Sequence, residues 1–206
     1  MTVPSSPPRR ATCAICLRAQ SACICRWVRP LSSRVDLLIL QHPLEVRNAK
    51  NSARLLHLCV AGSRIEVGEA FDGAALHALL YADGRVPLLL YPETPEEPAA
   101  PFDAAVLAQP DRLRLVVLDA TWRKSRKMLY LNPGLQTLPR LALHDVPASA
   151  YRIRKAHAPH QLSTLEAAAV ALAQLEGDAG QYRPLLQAFD GFVQQQAALF
   201  HRLNPS

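Results

Sequence analysis

Three long apolar runs limit the folds open to this chain more than any other feature. They cover residues 35–42, 86–92 and 113–122. A strand buried on both faces is apolar along most of its length, whereas a strand with one solvated face alternates apolar and polar residues. The runs therefore predict central strands of a mostly parallel sheet. Since helix-like segments separate them, the expected fold class is α/β, with helices flanking the sheet.

Weaker patterns place the remaining elements around these runs. Residues 63–67 and 138–143 resemble short strands, and residues 51–60, 73–81, 122–131 and 183–203 have helical periodicity. The clearest local signal is Ser163 followed by Glu166, a capping box that predicts a helix ending at Gly177. The last helix carries an apolar stripe that fits either the core or a dimer contact, so the oligomeric state stays open.

Four of the five cysteines lie close together near the N-terminus, in the spacing C-x2-C-x6-C-x-C. They are Cys13, Cys16, Cys23 and Cys25. Two close pairs of thiolates supply the tetrahedral four-sulfur ligand set that Zn²⁺ prefers, and a closed site of this kind is structural. A disulfide pair is disfavoured because the chain shows no secretory signal. We therefore expect a zinc knuckle in residues 11–30, with Cys59 as a small buried hydrophobic residue.

Composition restricts the class of protein and of partner. Of the 206 residues, 50% are hydrophobic and 19% are charged, which fits one folded domain after a flexible tail in residues 1–10. No stretch reaches the roughly 18 apolar residues that a membrane span needs, so a cytoplasmic protein without membrane contact is expected. The 23 Lys and Arg residues outnumber the 17 Asp and Glu residues and give a net charge of +6, which favours a polyanionic partner.

Asp119, Thr121 and Trp122 follow the third apolar run, at the strand edge where α/β sheets place ligand sites. A carboxylate beside an indole suits a pocket for a cationic or aromatic ligand. The same residues also fit a structural alternative, in which Asp119 or Thr121 caps the next helix and Trp122 fills the core. No glycine-rich nucleotide fingerprint follows any strand, so a nucleotide-like ligand would be held by loop backbones and a few side chains.

Two basic groups lie near this candidate pocket in the sequence. The first is Arg123, Lys124, Arg126 and Lys127, and the second is Arg152, Arg154, Lys155, His157 and His160. Residues 123, 126 and 127 share one face of a helix, so several cations can reach one phosphate backbone. An ordinary solvated face is the alternative for each group. Their position beside the pocket favours a surface for an anionic ligand.

Five blocks of residues occur in an order that is typical of one protein family. They are the cysteine knuckle, Gln41-His42-Pro43-x-Glu45, Leu89-Leu90-Tyr91-Pro92, Asp119-x-Thr121-Trp122 and Ser163-Thr164-x-Glu166-Ala167. Together they resemble the DTW-domain family of tRNA-uridine aminocarboxypropyltransferases, over residues 13–175. One departure is Asn51-Ser52, where the family tends to carry Asn-Thr, and this change keeps the hydroxyl group.

The resemblance implies a fold, a reaction and two partners. The fold is similar to the knotted SPOUT methyltransferases, with residues 31–206 as the catalytic domain. The reaction transfers the 3-amino-3-carboxypropyl group of S-adenosylmethionine to N3 of a tRNA uridine, and bacterial members of the family act on the variable loop. Two alternatives are a SPOUT-like RNA methyltransferase and a zinc-bearing RNA-binding module without catalysis.

The resemblance also assigns residues to this reaction. Asp119 is expected either to accept the imide proton of the uridine or to bind the ammonium group of the donor. The donor-binding residues are Leu90, Tyr91, Leu118, Asp119, Trp122, Ser163 and Thr164. The tRNA-binding residues are Arg123, Lys124, Arg126, Lys127, Arg152, Arg154 and Lys155. His42 is expected to be a structural hydrogen-bonding residue, and Glu45 to pair with Arg47 or Arg54.

Overall fold

One parallel sheet organises the part of the chain that the computed structural model describes, which is residues 11–92, 104–143 and 162–203. Its strands pair in the order β2-β1-β4-β3-β5, and every pairing is parallel. The strands are β1 (Asp36–Gln41), β2 (Arg64–Val67), β3 (Val86–Leu90), β4 (Leu113–Asp119) and β5 (Arg140–Leu141). This arrangement confirms the predicted α/β class. The predicted knot is not tested, because residues 93–103 and 144–161 lie outside the described residues.

Helices cover both faces of the sheet. They are α1 (Ala53–Cys59), α2 (Gly73–Tyr81), α3 (Trp122–Leu131), α4 (Pro133–Gln136), α5 (Thr164–Glu176) and α6 (Ala179–Leu203). The predicted capping box is complete, because the Ser163 hydroxyl accepts from the Glu166 N–H and the Glu166 carboxylate accepts from the Ser163 N–H. Gly177 ends this helix in the left-handed conformation, at φ 68°.

Two elements differ from the prediction for local reasons. Strand β5 is two residues long instead of six. Pro139, directly before it, has no N–H to donate and joins the pairing only through its carbonyl, which accepts from the Leu89 N–H at 2.9 Å. Helix α6 starts four residues earlier than predicted, since the Asp178 carboxylate accepts from the Gln181 N–H at 3.1 Å and caps the helix there. Pro184 then lies inside the helix.

Alternate residues of the central strands point into two separate apolar clusters. Leu37 and Ile39 of β1 pack with α1, α5 and α6, whereas Leu38 and Leu40 pack with α2, α3 and α4. The α6 stripe from Leu185 to Val193 lies in the first cluster and belongs to this chain's own core, with Leu185, Phe189 and Phe192 fully buried. Phe200, the last residue of the predicted stripe, is 54% exposed. Among the described helices, none combines the length and the apolar character that a bilayer crossing requires.

The cysteine knuckle packs on α6. The Trp27 indole N–H donates to the Gln195 side chain at 2.5 Å, and the Gln195 amide donates to the Cys23 carbonyl at 3.0 Å. Gly191 lies directly under the Trp27 ring, where an added Cβ would come within 2.2 Å of a ring carbon. The knuckle thus shares the hydrophobic core of the sheet, to which it contributes the buried Ile24.

Candidate active site and metal centre

Asp119 is the centre of a buried polar network at the carboxyl edge of the sheet. Its side chain is 2% exposed. The Gln41 and Asn51 amides donate to Oδ2 at 2.8 and 2.6 Å, and the Thr164 hydroxyl donates to Oδ1 at 2.7 Å. The parallel register places Gln41 of β1 beside Asp119 of β4. Three separate segments, β1, the loop before α1 and the start of α5, therefore converge on one carboxylate.

The network makes the carboxylate hard to ionise and, within the described residues, does not fill every position on it. A carboxylate has about four lone-pair positions, and described residues donate to three of those on Asp119, two on Oδ2 and one on Oδ1. Burial raises the pKa of Asp119, and this effect outweighs the opposing hydrogen bonds from Gln41, Thr164 and Asn51. Asp119 is thus suited to take up either a proton or a cation.

A largely apolar cleft of about 330 Å³ opens next to this network. Six of the seven predicted donor-binding residues line it, namely Leu90, Tyr91, Leu118, Trp122, Ser163 and Thr164. Asp119 does not line the cleft itself, but it accepts a hydrogen bond from the hydroxyl of Thr164, which does. The sequence-predicted residues are therefore gathered in one place, although they come from three parts of the chain.

The structure excludes the structural alternative for Asp119, Thr121 and Trp122. Thr121 takes the N-cap position of α3 but makes no side-chain capping bond, and the Asp119 bonds go to other elements. Trp122 is 50% exposed and contacts Tyr91 edge to face, with the ring centres 5.9 Å apart. Neither a capping role nor a core position describes these side chains.

Two ion pairs connect the basic helix α3 to the rim of the site. Lys124 Nζ lies 3.0 Å from the buried carboxylate of Glu45, so the expected pairing of Glu45 with Arg47 or Arg54 is replaced by one with Lys124. Lys127 pairs with Glu69 at 2.8 Å and, together with His42, lowers the pKa of Glu69. Two of the four basic residues predicted on α3 are thus paired with carboxylates of the protein.

The other predicted basic residues are placed as follows. Arg123 and Arg126 are exposed on α3. Arg152, Arg154 and Lys155, with His157 and His160, lie outside the described residues. His42 has the structural role expected of it, since its Nδ1 accepts from the Leu44 N–H and its Nε2 contacts Glu69.

The knuckle cysteines have the geometry of a four-sulfur metal centre. The sulfur atoms of Cys13, Cys16, Cys23 and Cys25 all lie within 4.8 Å of one another, and two pairs are 3.7 Å apart. A tetrahedron with Zn–S distances of about 2.3 Å has sulfur atoms about 3.8 Å apart. The residues therefore fit the ligand set of a Zn²⁺ ion, with two sulfur pairs already at the tetrahedral spacing.

Local electrostatics shift the pKa values of Cys13 and Cys25 in opposite directions. Backbone hydrogen bonds from Cys16 and Ile15 lower the pKa of Cys13 to about 6, which favours its thiolate. Burial and the neighbouring Cys23 raise the pKa of Cys25 to about 12. A divalent cation at the centre would stabilise all four thiolates and remove this difference.

Comparison with known sequences places the chain in a family. The family model of the DTW domain matches residues 10–197. This chain belongs to the DTW family. The matched range includes the knuckle, all the described strands and the Asp119 network, so the DTW domain accounts for both candidate sites.

Individual relatives carry names that concern tRNA. The chain is 32% identical over 176 residues to mouse tRNA-uridine aminocarboxypropyltransferase 2, covering 82% of the chain and 57% of that protein. It is 34% identical over 176 residues to the Drosophila melanogaster protein of the same name, and this alignment covers 82% of the chain and 68% of the Drosophila protein. An Arabidopsis thaliana relative, tRNA-uridine aminocarboxypropyltransferase A, is 27% identical over 138 residues, or 59% of the chain and 51% of that protein. The chain thus spans little more than half the length of the mouse relative, and no solved structure matches it.

Sequence reasoning missed several partners within this DTW site. Gln41 and Asn51 belong to recognisable sequence blocks, yet their contact with Asp119 depends on strand register and loop path. Arg140 was missed as well: its guanidinium lies 5.4 Å from the centre of the Tyr91 ring and donates to the Pro92 carbonyl at 3.3 Å. The Gln-His-Pro and Asn-Ser blocks were the available signals for Gln41 and Asn51.

Proposed function

We propose that this protein transfers the 3-amino-3-carboxypropyl group of S-adenosylmethionine to N3 of a uridine in tRNA. In this reaction uridine N3 bonds to the methylene carbon next to the sulfonium, and the S–C bond breaks with its electron pair moving to sulfur. The N3 proton leaves, and methylthioadenosine is the leaving group. The mouse and Drosophila relatives, named tRNA-uridine aminocarboxypropyltransferases, support this assignment.

The observation that carries the proposal is the Asp119 carboxylate held under an apolar cleft by three neutral donors. The cleft volume of about 330 Å³ lies in the range of small-molecule sites, about 300–1,000 Å³. The Trp122 and Tyr91 rings offer aromatic surfaces to an adenine ring or a sulfonium cation. The backbone at Leu90 and Leu118 and the start of α5 at Ser163 and Thr164 would complete the donor site, in the manner of a SPOUT-like fold.

We assign Asp119 to one of two duties at Oδ1, to which Thr164 is the only donor among the described residues. A raised pKa makes the carboxylate a stronger base for the imide proton. The same burial cost would be relieved by the ammonium group of the donor. In either case the protein directs attack to the methylene carbon mainly by positioning, because the methyl carbon of the same sulfonium is also open to attack.

We propose that tRNA lies across α3, with Arg123 and Arg126 as phosphate contacts because both are exposed. Lys124 and Lys127 would contribute less, since each is paired with a carboxylate. Arg152, Arg154 and Lys155 remain proposed tRNA contacts from the sequence. The knuckle cysteines would hold Zn²⁺ as a structural ion, which supplies stability to the N-terminal segment and no chemistry to the transfer.

The test is incubation of the protein with S-adenosylmethionine and unmodified tRNA, followed by mass spectrometry of the tRNA nucleosides. We expect one uridine, in the variable loop, to gain the aminocarboxypropyl group while methylthioadenosine accumulates. A methylated nucleoside with S-adenosylhomocysteine would instead identify a methyltransferase. A tRNA shift in a gel with no consumption of the donor would identify a binding module.

A further inference from the structure

One side chain of the cysteine knuckle reaches the loop that supports Asp119. Arg18 lies inside the knuckle, where its carbonyl accepts from the Cys13 N–H at 2.8 Å. Its guanidinium donates to the carbonyls of Ala49 and Asn51 at 2.6 and 2.7 Å. A forked pair of hydrogen bonds from a rigid guanidinium fixes both the distance and the orientation of the backbone that it grips. The metal-binding segment is therefore tied to residues 49–51.

Asn51 passes this restraint on to the carboxylate. Its Oδ1 accepts from the Ala53 N–H at 3.0 Å, so its Nδ2 must face the other way, where it donates to Asp119 Oδ2 at 2.6 Å. The side chain is buried and has no room to compensate for a displaced backbone. A second tie runs parallel to the first, because the Arg54 guanidinium of α1 donates to the Ile15 carbonyl of the knuckle at 2.5 Å.

We propose that the knuckle is a positioning element for the Asp119 carboxylate, acting through Arg18 and Asn51. Its effect on turnover rests on the proposed function, whereas its effect on the carboxylate does not. Releasing residues 49–51 would weaken one of the three hydrogen bonds that favour ionised Asp119, and its pKa would rise further. Among the described residues, the other groups that act on the carboxylate are the neutral Gln41 and Thr164 and the charged Glu45, which also raises the pKa of Asp119.

The direct test is a pH titration of the Asp119 carboxyl carbon by NMR in protein with labelled aspartate, with the signal assigned by its loss in Asp119→Asn. We expect Arg18→Ala and Asn51→Ala to raise the pKa of Asp119, and Arg18→Lys to raise it less. Arg29→Ala is the matched control, because it removes another arginine of the same segment, and this arginine is exposed. The Arg29 guanidinium donates to the carbonyls of Arg26 and Val28, away from residues 49–51. It should leave the titration unchanged.

Turnover supplies the second readout. In Arg18→Ala the acid limb of the pH profile should move to higher pH, with transfer about tenfold slower below the new limb and near the wild-type rate above it. Recovery at high pH separates a positioning role from general damage to the fold. Zinc content and the thermal midpoint, measured on the same samples, show whether the knuckle itself survives. Should Arg18→Ala lose the metal, Arg18→Lys and Asn51→Ala provide the deciding titrations.

The outcomes separate this proposal from the proposed function. An Asp119 titration that is the same in Asn51→Ala, Arg18→Lys and the Arg29→Ala control overturns the positioning role. If the Arg18 variants raise the pKa of Asp119 but the wild-type protein transfers no aminocarboxypropyl group, the positioning role stands and the proposed function is overturned.

Discussion

Replacement of Asp119 by asparagine removes the buried charge and can keep all three hydrogen-bonded contacts, with the donor and acceptor exchanged at Thr164. The new side-chain oxygen can take the place of Oδ2 and accept from Gln41 and Asn51, and the new NH₂ can take the place of Oδ1 and donate to the Thr164 hydroxyl. Since all three contacts persist, we expect a loss of unfolding free energy no greater than about 1 kcal/mol. Any test of function in this variant is therefore made on a folded protein.

The sign of the pH effect follows from the raised pKa of Asp119. A carboxyl with a folded-state pKa above its unfolded value binds protons more tightly in the native state, so its ionisation destabilises the fold. Wild-type stability should gain from this group as pH falls through the folded pKa, and the asparagine variant should lack that gain. Thermal unfolding of both proteins across this pH range measures the difference. A variant that is strongly destabilised at neutral pH would refute the description of the network.

Activity then distinguishes the two duties of Asp119. If it accepts the imide proton, turnover should fall by about 10²–10⁴, or about 3–5 kcal/mol of barrier, with unchanged affinity for S-adenosylmethionine by calorimetry. If it binds the donor ammonium, the affinity should fall by about tenfold or more, as expected for loss of a charge-assisted contact. Near-normal turnover together with unchanged affinity would show that both assignments are wrong.

Four further predictions concern other parts of the molecule. Trp122→Ala should weaken donor binding about tenfold in calorimetry without lowering the thermal midpoint, because the ring is half-exposed on the cleft wall; an unaltered affinity would remove it from the site. Arg114→Ala should cost about 3–5 kcal/mol in urea unfolding, since it leaves the Asp36 carboxylate without its fully buried partner, and a cost under about 1 kcal/mol would contradict this. A zinc chelator, or Cys16→Ala, should release one metal ion per chain and lower the thermal midpoint, whereas metal-free protein of unchanged stability would exclude a structural ion. The double variant Arg123→Ala with Arg126→Ala should bind tRNA with a shallower dependence on salt than wild type, and an identical slope would place the phosphates elsewhere.

The sequence predicted those features that depend on local patterns. Long apolar runs located β1, β3 and β4, since strands buried on both faces need apolar side chains at nearly every position. The helix bounds at Gly73 and Tyr81 were predicted without error. The capping box at Ser163 marked the start of α5, because its two hydrogen bonds connect residues three positions apart.

Features that depend on distant contacts were not predictable in the same way. Gln41 and Asp119 are 78 positions apart and meet only because β1 and β4 pair in a particular register. The pairing of Lys124 with Glu45 spans 79 positions, and nothing in a basic helix face shows that one of its cations is used internally. The packing of the knuckle on α6 was equally hard to predict, since Trp27 contacts Gly191, a residue far from it in the sequence.

The most direct test of the proposed transfer follows two labelled forms of S-adenosylmethionine, one labelled in the carboxyl carbon and one in the methyl group. A single round of reaction with unmodified tRNA is followed by separation of the tRNA from the small nucleosides. Aminocarboxypropyl transfer predicts that the carboxyl label enters the tRNA while the methyl label leaves with methylthioadenosine. Methyl label in the tRNA, with the carboxyl label in the released nucleoside, would contradict the account.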